Sequence, residues 1–364
     1  MAIDTLDTLP SEVRNLIFEY LQATTHKPTL SSLMRVSRGM YAKSMPLLYE
    51  RVRLNASNAE AYFGRLTANG LGAIDEEIAS HKPHLSHYIW QLATVDCEPP
   101  LPSFVPSPIA RKICQIWSTK DVFLEDAPTV AYLQQAATSV LHLYRQLEQN
   151  LDGQVEDMKY VSEYVLDDLE SLVLGEPLAR SLIHYPKVWE SVANTIREDI
   201  DTRSLCLRIP ADCASASAAQ YCRDMLSTNL DPENICVLCI HNANPLDYMF
   251  KLNVYESLHF FLRPEDSPGM LSHEASIGAF MSSLLASIKE SQSTLLLPDQ
   301  IHFYNSQFTA VDRVSHQSWS FWDELEREKK DRAATPGRDL HWPVTLKLFG
   351  TDEKVACPVC GETV

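Results

Sequence analysis

The chain has 364 residues, a formal charge of −17, and ordinary proportions of hydrophobic (45%) and charged (22%) residues. That acidity, with a pI near 5.1, opposes nonspecific binding to DNA, RNA or anionic membrane, which need a basic surface to exchange counterions. No run approaches 18 uninterrupted apolar residues, so no spanning helix is expected.

The first ten residues, MAIDTLDTLP, carry acid where a secretory signal would carry a basic segment and an apolar core. A cytoplasmic or nuclear location is therefore expected, with the nine cysteines read as buried thiols or metal ligands before disulfides.

The stretch from Leu9 to Leu54 reads as a small helical module. Pro10 suits a first helical turn, and Glu12 places negative charge at the positive end of the helix dipole. Val13, Leu16, Ile17, Tyr20 and Leu21 then follow at i, i+3, i+4, i+7 and i+8, one apolar stripe of a 3.6-residue period. After a polar break over residues 24–28, a second helix carries Leu30, Leu33, Met34, Ser37 and Tyr41 on one side. Pro46 is expected to stop the following turn. Tyr49 to Leu54 reads as a strand, with Val52 and Leu54 on one face and Arg51 and Arg53 on the other.

Leu9-Pro10-x-Glu12-Val13, Ile17-Phe18, Tyr20-Leu21, Leu33, Val36-Ser37-Arg38, and Pro46 with Leu48-Tyr49 stand in the order of an F-box, and the module resembles one. Tyr41 stands where that family commonly has tryptophan. The resemblance covers about 45 residues. It implies a three-helix module that binds the small helical adaptor of cullin-RING ubiquitin ligases, and through it the cullin, while the rest of the chain selects a protein substrate. The positions it assigns to adaptor binding are Leu9, Pro10, Ile17, Leu21, Leu33 and Val36.

Beyond the module, Ser57 with Glu60 forms a candidate capping box for a helix through AEAYFGRL. Residues 69–83 read as a connection plus a short helix, and Tyr88 to Val95 as a buried strand. Five prolines between Cys97 and Pro108 dictate a loop. Helices are expected over Ile109 to Ser118 and Ala127 to Gln149.

From about residue 165, short apolar runs at 169–175, 203–209, 235–241, 255–262 and 300–306 alternate with helical stretches over 188–200, 214–229 and 274–290. Their central residues, Leu172, Leu205, Leu238, Leu258 and Phe303, lie 33, 33, 20 and 45 apart, near the size of a strand-plus-helix unit. Such alternation implies parallel strands with right-handed crossovers. The fold class is therefore α/β. It resembles a degenerate leucine-rich repeat array without the asparagine ladder, of the kind that follows F-boxes in fungal and other eukaryotic chains, and a single open α/β sheet is the alternative. The expected division is a module over 1–54, a body over 55–350 and a terminal tail over 351–364.

Two CxxC pairs occur. Cys236 and Cys239 lie within a strand, where i and i+3 point to opposite faces, so they read as packing. In Cys357-Pro-Val-Cys360-Gly, proline and glycine shape a knuckle on which two thiolates converge, half of a four-ligand zinc site. The remaining ligands would have to come from afar, with His341 the nearest histidine and Cys97 or Cys114 more distant, and without a second ligand pair a loose dithiol tail is favoured over a metal knuckle. Zinc at Cys357 and Cys360 is the one cofactor the pattern admits. There is no HExxH, GxSxG, GxxxxGK[ST] or GxGxxG. Trp319, Phe321 and Trp322 cluster before a charged helix and read as core-capping aromatics. A noncatalytic receptor is thus expected; an interaction scaffold outside ubiquitin ligases and an α/β zinc-dependent enzyme are the alternatives.

Overall fold

The computed structural model describes residues 9–23, 27–35, 38–67, 69–81, 89, 107–150, 161–226, 236–245, 256–267, 272–290, 300–307, 323, 327, 330, 345–351 and 353–363. It divides into two compact units, Met1–Val122 with Ala131–Asp168, and Phe123–Val130 with Leu169–Val364. No helix among the described residues is long and apolar enough to cross a membrane.

The first unit opens with α1 (Ser11–Ala23), α2 (Lys27–Leu33), α3 (Arg38–Tyr49) and β1 (Arg51–Leu54). Two expectations are corrected here. The second helix does not run from Leu30 to Tyr41: α2 ends at Leu33 and α3 opens at Arg38. Nor does Pro46 stop the chain, since it lies inside α3. An interior proline costs about 3 kcal/mol through its missing N–H and ring clash. Burial of Met40 and Met45 in the same helix, worth roughly 1.5–3 kcal/mol each, offsets it. β1 keeps the expected alternation, with Leu54 buried and Arg51 and Arg53 exposed.

The Ser57–Glu60 capping box does not form. Asn58 is the N-cap of α4 (Ala59–Phe63) and its side chain makes no capping bond. Asn55 Oδ1 instead accepts from the Ser57 N–H at 3.0 Å and the Ser57 hydroxyl at 2.5 Å, a side-chain turn that takes Ser57 away from the helix end. α5 (Gly70–His81) is a full 12-residue helix rather than a short one, and buries Ile74 and Ile78. α6 (Pro108–Trp117) begins as its sequence directs, with Ser107 Oγ accepting from the Ala110 N–H at 3.2 Å and proline in the first turn. α7 (Ala127–Asn150) matches the expected long helix. Of the strand expected over Tyr88–Val95 only Ile89 is described, and it is helical and fully buried. Residues 97–106 of the proline-rich segment, and Trp319, Phe321 and Trp322, lie outside the described residues.

The remaining elements are β2 (Asp121–Leu124), β3 (Leu166–Leu169), β4 (Ser171–Leu174), α8 (Glu176–His184), α9 (Glu190–Glu198), β5 (Ile200–Thr202), β6 (Ser204–Arg208), α10 (Ser215–Leu226), β7 (Val237–Ala243), β8 (Ser257–Leu262), α11 (His273–Glu290), β9 (Gln300–Ser306) and β10 (Thr345–Gly350). Eight strands form one sheet in the order β1-β2-β4-β6-β7-β8-β9-β10, and β3 pairs with β5. From β4 to β10 every neighbour is parallel. The α/β class follows the sequence reading, while β2, β3, β5 and α8 are additions to it.

Strand order never doubles back, so the sheet is singly wound and lacks the reversal at which doubly wound folds bind nucleotides. Right-handed crossovers that all advance in one direction put their helices on one face. That face is the leucine face: Leu172, Leu205, Leu238 and Leu258 stand side by side in register. The fifth in the row is Ile301; Phe303, expected there, lies two residues on and opposite Phe260. Asn242, at φ 55°, donates from Nδ2 to the Ile209 carbonyl at 2.7 Å.

α11 closes the leucine face by inserting Phe280, whose ring lies 5.3 Å from Phe260 and 5.7 Å from Phe303, edge-on to both. Phe280→Ala should destabilise the protein by about 3–5 kcal/mol, read as a lowered urea midpoint with an unchanged slope.

Candidate metal centre and exposed helix face

Strand alternation sends the residues between the leucines to the opposite face. One row there reads Val173, Cys206, Cys239, His259 and His302 across β4 to β9. Two residues on, a second row reads Arg208, His241, Phe261 and Tyr304. His241, Phe261, Tyr304 and Phe349 stack as a column, with centroids 4.3, 4.4 and 4.7 Å apart and planes within 9° of parallel. The column fixes the His241 imidazole in one orientation.

Residues 353–363 pack on this face. Val355, Val359 and Cys360 lie against a buried cluster of Val173, Cys206, Cys239, Phe261, Tyr304 and Cys357. The segment is a tight knuckle: Gly361, at φ 71°, takes a backbone shape that side chains resist, and its N–H donates to the Cys357 carbonyl at 2.9 Å. The Cys357 N–H donates to the Glu362 carbonyl at 2.9 Å, the Cys360 N–H to Cys357 Sγ at 3.5 Å, and Ala356 bridges to Thr363. The expectation of a loose dithiol tail is corrected by this ordered turn.

Cys206, His241, Cys357 and Cys360 bring one ligand atom each within 4.8 Å of one another, a group suited to a metal ion. A tetrahedral zinc with three thiolates and an imidazole sets its ligand atoms about 3.5–3.8 Å apart. Cys360 Sγ and His241 Nε2 already stand 3.6 Å apart. The completing ligands differ from those suggested by sequence proximity. His341 and Cys97 lie outside the described residues, and Cys114 is buried in α6, where desolvation pushes its thiol up to about 12. Sequence reading missed Cys206 and His241, although a signal existed: in Cys239-Ile-His241 the alternation puts cysteine and histidine together on the face away from the leucines.

Charge at the centre is shared. Cys206, Cys239 and Cys360 donate to Cys357 and hold it far below an ordinary thiol. Cys206, by donating to Cys357 and Cys360, is held well above one. Burial works against a charged His241, but its hydrogen bonds to Cys357 and Cys360 raise it overall. Arg208 adds a cation at the rim, donating to Cys360 Sγ at 3.5 Å, pairing with Glu362, and lying 5.2 Å over the Phe123 ring. An incoming cation would displace the protons that these donors share, Cys206's among them, so its affinity falls with acid.

Beside the centre lies a second buried polar group. His259 Nδ1 and Tyr304 Oη are 2.8 Å apart, Ser257 Oγ and His259 Nε2 2.6 Å, and His302 Nδ1 and Tyr304 Oη 3.1 Å. His302 Nε2 is buried without a partner. Burial lowers both imidazoles to about 4, helped for His259 by His302 and for His302 by Lys347. Because the unfolded chain takes up these protons near pH 6.5, stability held above pH 6.5 is lost as pH falls toward 4. The loss at pH 5 is roughly 1–2 kcal/mol per imidazole. Thermal unfolding between pH 7 and 5 should therefore show a smaller drop in Tm for His302→Gln than for the wild type.

On α1, Val13, Leu16 and Tyr20 are 40, 63 and 69% exposed and share one helix face. Of the positions assigned to adaptor binding, Pro10 is exposed and Leu9, Ile17 and Leu33 are half-buried. The side chain of Leu21 and all of Val36 lie outside the described residues. No family model, curated protein or solved structure matches the chain.

Proposed function

We propose that the protein is a noncatalytic substrate receptor of a cullin-RING ubiquitin ligase. In this reading α1–α3 dock onto the small helical adaptor, and the α/β body holds a protein for ubiquitin transfer by other subunits. Transfer would follow from raised effective concentration and needs no active-site residue in this chain. The observation that carries the reading is the exposed apolar stripe of α1, Val13, Leu16 and Tyr20, in a module whose residue order resembles an F-box. Contiguous exposed apolar surface marks a partner site, and an amphipathic helix laid into a groove is a recurring way to fill one. Co-expressed with adaptor and cullin, the full chain should purify with both. Purification free of adaptor supplied in excess would overturn the proposal.

The ion we propose for the four-donor group is zinc. Three soft thiolates and one imidazole in tetrahedral reach suit it better than calcium or magnesium, which require oxygen ligands. Four protein donors fill the tetrahedron and leave no position for water or substrate, which supports a structural ion over a catalytic one.

A further inference from the structure

Resting on the zinc reading, we infer that the ion acts as a clasp, fastening residues Glu353–Thr363 over the sheet face opposite the leucines while Cys239 stays outside the coordination shell. Two ligands, Cys206 and His241, belong to β6 and β7, and two, Cys357 and Cys360, to the knuckle. Neither pair completes a tetrahedron alone, so the bound ion cross-links strand to terminal segment.

The segment buries little of itself. Among its described residues Cys357 alone is buried, while Val355, Val359 and Cys360 are half-buried and the others half-buried or exposed. Eleven residues with one buried side chain cannot form a core, and small units of that kind depend on a metal or disulfide. Besides the ligand group, the ties to it include apolar packing, the Arg208–Glu362 pair, the Arg208 contact with Cys360 and hydrogen bonds between Glu353 and Gly350. Beneath it lie Val173, Cys239, Phe261 and Tyr304, an apolar floor that water would reach if the knuckle lifted.

Cys239 makes the site five-donor in composition but four-donor in geometry. It stands opposite Cys206 in register, on the same face and fully buried. Its sulfur is nevertheless not among the four mutually close ligand atoms.

The test combines elemental zinc analysis with amide hydrogen exchange on the full chain. Wild type and Cys239→Ala should each carry roughly one zinc per chain, and Cys360→Ser should carry none. Stripping zinc from folded wild type with a chelator should speed exchange in residues 353–363 by about tenfold or more, with the amides of α8 and α10 unchanged. Wild type without zinc would overturn the ion and the clasp together. Bound zinc whose removal leaves exchange in 353–363 unchanged would overturn the clasp alone, and zinc lost from Cys239→Ala would overturn its exclusion. Chelation of wild type decides the matter even where Cys360→Ser fails to fold.

Discussion

Cys206→Ala is expected to release the metal and lower stability by about 4 kcal/mol or more, an effect beyond that of an ordinary small core substitution. The residue sits midway along β6, fully buried, between Val173 and Cys239. Truncating a cysteine to alanine in such packing removes one sulfur and normally costs about 1 kcal/mol. The excess comes from the ion: with three donors left the cage is open, and metal-binding free energy that was part of folding free energy is lost. Cys222→Ala supplies the control, because Cys222 is equally buried in α10 and belongs to no ligand group. Unfolding by guanidinium with zinc in slight excess measures both. Equal losses for the two variants would mean that Cys206 is packing and nothing more.

The second large effect concerns α1. On the proposed reading, Val13→Asp combined with Leu16→Asp should leave the fold intact and weaken adaptor binding about a thousandfold. Both side chains are exposed, so each change should move stability by only about 0.5 kcal/mol. Val13 also lies in the first turn of α1, where negative charge interacts favourably with the helix dipole. An apolar anchor seated in a partner groove is worth about 2 kcal/mol, so losing two weakens binding roughly a thousandfold. Tyr185→Ser with Val188→Ser, exposed apolar positions in the other unit, should not change adaptor binding. Calorimetry with purified adaptor would settle it, and unchanged affinity in the α1 variant would remove the main support for a ligase role.

The two effects fall in different units, and their readouts are independent. On the zinc reading, loss of the ion would act on the segment that covers the Arg208, His241, Phe261 and Tyr304 row. Loss of the α1 stripe acts on docking.

What the amino-acid order determined by itself was local and periodic. Alternation marked β4, β6, β7, β8 and β9, and Leu172, Leu205, Leu238 and Leu258 were picked at positions that pair in register, because a buried strand face must repeat every second residue. The 3.6-residue stripe marked α1, and the proline and glycine of Cys357-Pro-Val-Cys360-Gly marked a turn that brings two thiolates together. Tertiary structure decided the rest. Pro46 runs inside α3, where burial of Met40 and Met45 outweighs a local breaker, and Asn55 captures Ser57 before it can cap α4. Above all, Cys357 and Cys360 meet Cys206 and His241 only when parallel strands stack in order and the chain end folds back across them. No spacing encodes that meeting, because the separation in sequence is set by the crossover helices between the strands and the separation in space by the sheet.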